Sequence, residues 1–118
     1  MENNVNIIMV TPNAHHEDND TYVYGYKLMT TFWNDFIIAE QFGVNAIKET
    51  YKRAFTEWKD NYKYLTELVM VLNWRSWICW KHNDEYMELY SDLYYEADEY
   101  ACTNLKGEEL NYYFITTD

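Results

Sequence analysis

Between residues 31 and 106 apolar side chains return every three or four positions, the spacing of helices that each bury one face. Phe32, Trp33, Phe36, Ile37 and Phe42 make a first such face, with Thr31 placed to cap it and Gly43 to stop it. A second helix starts near Asn45, and Val44, Ile47, Tyr51, Ala54, Phe55, Trp58 and Tyr62 form its stripe. Asp60 and Asn61 mark a soft break. The third segment, from about Tyr62 to Lys81, is apolar nearly all round. Leu65, Leu68, Val69, Leu72 and Cys79 cover one side, and Met70, Trp74, Trp77 and Trp80 another. A helix apolar on both sides belongs at the centre of its domain. The pattern predicts a core of Leu65, Leu68, Val69 and Leu72 packed on Phe55, Trp58 and Leu93. Asn83 and Asp84 open a fourth helix, whose inner face is Tyr86, Leu89, Tyr90, Leu93, Ala97, Tyr100 and Ala101. Lys106 and Gly107 close it, and Glu108 to Phe114 adds one short turn.

Residues 1–28 follow a different rule. Val5 to Val10 reads as a strand, Thr11 to Asp20 as a loop, and Tyr22, Tyr24 and Tyr26 alternate with a period of two. They form either a short β-hairpin or an extended arm. The expected fold is therefore mainly α: a compact bundle of three to five helices over residues 29–118, preceded by an arm or hairpin over residues 1–28, in one unit.

Composition fits this reading. The chain of 118 residues contains only 3 Gly and 1 Pro, so turns are scarce. Aromatic residues reach 19%, with 13 Tyr and 5 Trp, side chains suited to a core that extends to a partner-facing surface. Leu65 to Trp80, the longest hydrophobic stretch, is interrupted by Glu67, Asn73 and Arg75 and predicts no membrane span. Met1 to Asn4 lacks the basic start of a signal peptide. Cys79 and Cys102 stand alone without metal-type spacing, as small buried hydrophobes in a reducing cytoplasm would.

No catalytic pattern emerges. His15, His16 and Glu17 are adjacent in a loop, not spaced as zinc ligands on a helix. There is neither a glycine-rich phosphate loop nor a nucleophile elbow, and no carboxylate has neighbours that predict a raised pKa. The reading is a binding protein rather than an enzyme, with no metal and no cofactor.

Charge singles out one surface. The net charge of -11 disfavours direct nucleic-acid binding, which needs clustered Lys and Arg. Residues 44–82 carry seven basic and four acidic side chains, whereas residues 83–118 carry one basic and ten acidic. Glu85, Glu88, Asp92, Glu96 and Glu99 fall within an arc of about 80° on the fourth helix, flanked by Asp84 and Asp98. Like charges one turn apart each cost roughly a few tenths of a kcal/mol. Either Lys48, Lys52, Lys59 and Lys63 of the second helix and its end face these acids, or a basic partner does. Stripe carboxylates recur every ~4.5–6 Å along the helix, comparable to the ~3.4 Å of phosphates along a DNA strand. The second candidate surface is Trp74, Trp77 and Trp80, expected to be buried; exposed, they would make a partner or dimer face.

The segments TTFWNDFIIAEQFG, TYKRAFTEWKDNYKYLTELVMVLNWR and NLKGEELNYYFITTD resemble a family of small acidic helical proteins carried on conjugative and integrative mobile elements of Firmicutes-type bacteria. The resemblance covers whole segments from about Met29 onward, contains no catalytic motif and assigns no site residues. It implies a need to survive restriction and CRISPR systems on entering a new host. Resemblance and charge together predict a cytoplasmic inhibitor of a nucleic-acid defence enzyme, anti-CRISPR or antirestriction, acting as a nucleic-acid mimic. The alternative is a structural or regulatory adaptor that binds another mobile-element protein through helix packing.

Overall fold

The computed structural model describes residues 32–117, which fold as a bundle of five helices with no strand among them. The expected hairpin, the Thr31 cap and the histidines His15 and His16 lie outside these residues. The helices are α1 (32–40), α2 (Val44–Trp58), α3 (Tyr62–Cys79), α4 (Asp84–Asn104) and α5 (Glu108–Thr117).

The boundaries follow local chemistry. Gly43 adopts φ 113°, a region that disfavours side chains, and so lets the chain turn between α1 and α2. The Asn61 side chain accepts the backbone N–H groups of Lys63 and Tyr64, both at 3.2 Å, which starts α3. Asn83 caps α4 in the same way, accepting from Tyr86 at 3.0 Å, with Asp84 and Glu85 against the positive end of the helix dipole. Gly107, at φ 61°, separates α4 from α5. α5 extends to Thr117, three residues beyond the turn the sequence pattern suggests.

α3 is the central helix, packed against α2, α4 and α5, most extensively against α4. Leu65, Leu68, Val69 and Leu72 are all fully buried, as the pattern predicts. Leu93 is buried with them, and Phe55 and Trp58 pack at the edge of the core. Aromatic contacts join the layers: Phe36 of α1 meets Tyr90 of α4 edge-on at 5.6 Å, and Phe55 of α2 meets Tyr100 of α4 at 5.0 Å.

Two apolar positions depart from the pattern. Phe42, read as part of the first apolar face, is 78% exposed, because α1 ends at residue 40 and Phe42 falls in the turn before Gly43. Cys102 is exposed rather than buried, whereas Cys79 is buried; both are free thiols. No helix among the described residues is long and apolar enough to cross a membrane.

Candidate functional site

α4 turns Tyr90, Leu93, Ala97 and Ala101 into the core. At about 100° per residue this leaves Glu85, Glu88, Asp92, Glu96 and Glu99 on the opposite side, and all five are exposed. Among the described residues none of them joins an ion pair. Of the two alternatives, ion pairing of these acids with lysines of the second helix and its end is therefore not formed among the described residues. Lys59 lies 3.8 Å from Asp60 and over the Tyr100 ring, and Lys63 lies over the rings of Tyr62 and Tyr112. Lys48 and Lys52 are exposed, and among the described residues neither pairs with a stripe carboxylate. Aromatic contacts such as Phe55 on Tyr100 occupy the seam between α2 and α4.

The flanking acid Asp98 and the ridge acid Glu96 have internal neighbours. Asp98 accepts the Tyr113 hydroxyl of α5 and the Cys102 thiol, so it belongs to the bundle rather than to the exposed ridge. Burial and that bond to Asp98 push the Tyr113 hydroxyl up. Glu96 sits beside the buried Tyr51 ring, whose hydroxyl is raised by burial first and then by the Glu96 charge.

The tryptophans divide. Trp74 is buried, as expected, but Trp77 and Trp80 are 64% and 52% exposed, which corrects the expectation of a buried wedge. The middle turns of α3, from Leu65 to Leu72, are enclosed, whereas its last turn emerges and keeps only Cys79 buried. Trp77, Trp80, Ser76 and Met87 of α4 line an open groove of 260 Å³. Its walls are held together by the Ser76 hydroxyl, which donates to the Met87 carbonyl at 3.2 Å. Lys81 extends its ammonium over the Trp80 ring, 5.3 Å from the centroid.

Two buried polar features have no counterpart in the sequence reading. Arg75 donates from Nε and Nη2 to the two carboxylate oxygens of Glu40, at 2.8 and 2.7 Å, and stacks on Trp33 at 4.7 Å. Tyr90 donates to the same carboxylate at 2.6 Å, and Tyr86 donates to the Glu40 carbonyl at 3.0 Å. This network ties α1 to α3 and α4. Burial, and then the Glu40 charge, push the adjacent Cys79 thiol up, which lowers its thiolate content and its reactivity. The second feature is Glu67 on α3, which is fully buried with neither carboxylate oxygen hydrogen-bonded among the described residues. Burial pushes its pKa up to about 8. The sequence reading expects no such group.

Among the described residues no three His, Cys, Asp or Glu side chains group as metal ligands. Comparison of the chain with known protein families, characterised proteins and solved structures found no match.

Proposed function

We propose that the protein is a non-enzymatic inhibitor that binds a basic, nucleic-acid-handling defence enzyme through the α4 ridge. The observation that carries this reading is the set of five exposed carboxylates, Glu85, Glu88, Asp92, Glu96 and Glu99, with no ion pair of their own among the described residues. The ridge from Glu85 to Glu99 spans about 21 Å at the helical rise. Over that length one DNA strand carries about six phosphates at their ~3.4 Å spacing, so the five carboxylates are comparable in pitch but not matched to them. A surface built to grip phosphates meets carboxylates at a comparable pitch along one continuous helix. The net charge of -11 adds long-range steering toward a basic target. The mobile-element resemblance supplies the setting: a cytoplasmic encounter with restriction or CRISPR nucleases.

Purified restriction endonucleases and CRISPR effector nucleases provide the test. Inhibition of cleavage by the protein, relieved by excess duplex or guide nucleic acid and weakened by salt, supports the reading. Inhibition that nucleic acid does not relieve contradicts mimicry. A second reading, an adaptor that docks another mobile-element protein, is favoured by one observation, the exposure of Trp77 and Trp80.

A further inference from the structure

The acidic ridge and the tryptophan groove share a helix, and their relative placement follows from its geometry. Taking Met87 as the origin, Ser91 lies about 40° around α4, Asp84 about 60°, Tyr95 about 80° and Glu88 about 100°, where the ridge begins. Asp84 and Tyr95 are both exposed, so solvent-facing surface runs from the groove wall to the ridge without a buried row between them. Along the axis the groove sits at the start of α4, and the ridge extends about 18 Å beyond Met87 to Glu99.

We infer that groove and ridge form one docking surface for a basic protein segment that carries an apolar anchor at one end. This deepens the functional proposal and rests on it for the basic character of the partner. The groove of 260 Å³ admits one or two aliphatic side chains between Trp77, Trp80 and Met87. Exposed tryptophans beside a pocket are the side chains that dominate binding energy at protein interfaces. Charge complementarity selects the occupant. Asp84 and Glu88 border the Met87 wall, and Asp92, Glu96 and Glu99 continue from it along α4. A second copy of this chain would bring its own charge of -11 against that border and is disfavoured. The chain also offers an internal precedent, because Lys81 already covers the Trp80 ring, whereas Trp77 has no cation or ring partner among the described residues. An arginine of the partner can take that place. The ~18 Å span sets the segment at about 12 residues if helical and about six if extended.

Two 12-residue arginine-rich peptides, one ending in Leu-Leu and the other in Ser-Ser, test this with the full chain, by calorimetry and tryptophan emission. The leucine peptide should bind at least tenfold more tightly. That advantage should fall below twofold in the Trp77→Ala/Trp80→Ala variant, whose helical spectrum should be unchanged because both side chains are exposed. Equal affinity of the two peptides for the native chain overturns the inference. A leucine advantage that survives in the variant does so too, as does the absence of binding by either peptide. The ridge is read separately: salt-sensitive binding of the serine peptide supports it. Binding of the leucine peptide alone contradicts the ridge, and with it the proposed function, while leaving the groove as a docking site.

Discussion

Arg75 and Glu40, 35 residues apart, meet in a two-pronged ion pair that locks α1 to the central helix. Arg75 is buried, and its removal leaves the Glu40 carboxylate with the Tyr90 hydroxyl as its one hydrogen-bond partner among the described residues. Breaking a buried pair by deleting one partner typically costs about 3–5 kcal/mol. Arg75→Ala should therefore lower the unfolding free energy by about that amount in urea titration. Arg75→Lys should recover only part of it, because an ammonium cannot make the paired contact. A loss below about 1 kcal/mol for Arg75→Ala would contradict this role.

Glu67 gives the protein a pH dependence of definite sign. Its pKa rises on folding from 4.5 to about 8, so the folded state holds the proton more tightly than the unfolded chain. The associated stability is complete below about pH 4.5 and is lost as pH rises through 8. Glu67→Gln removes this ionisation. The variant should match the native chain within about 1 kcal/mol at pH 5, and exceed it by on the order of 3–5 kcal/mol at pH 9. Denaturant unfolding at the two pH values measures the difference, and a constant difference contradicts it.

Leu68 tests the central position of α3. It is fully buried, and Leu68→Ala should cost about 2–5 kcal/mol, the range for a buried leucine whose cavity only partly collapses. A surface substitution on the same helix, Trp77→Ala, should cost less than about 1 kcal/mol in the same assay.

Much of this architecture was legible in the sequence, for specific reasons. The spacing of Leu65, Leu68, Val69 and Leu72 reports the core, Asn83 reports a helix start, and Asp60 and Asn61 report the break before α3, though not the cap that Asn61 forms there. The stripe from Glu85 to Glu99 reports an exposed face because the same helix presents Tyr90, Leu93, Ala97 and Ala101 opposite. What periodicity cannot report is position along the axis. Trp74 and Trp77 differ by only about 60° around α3, yet one is buried and the other exposed, because the covering helices enclose the middle of α3 and not its last turn. Phe42 departs for a related reason, lying two residues past the end of α1. Arg75 and Glu40 carry no local signal, since their pairing exists only once distant segments pack. Glu67 is hidden differently: its residue type signals a surface, and only tertiary burial makes it an interior acid.

The central claim is that the α4 ridge is the inhibitory surface. The Asp92→Lys/Glu96→Lys variant tests it most directly, in a cleavage assay with a nuclease that the native chain inhibits. Both side chains are exposed and outside any ion pair among the described residues, so the helical spectrum should be preserved. The account predicts loss of inhibition, with the competing effect of DNA or RNA lost alongside it. Full inhibition by the folded double variant would contradict it and leave the tryptophan groove as the surface that matters.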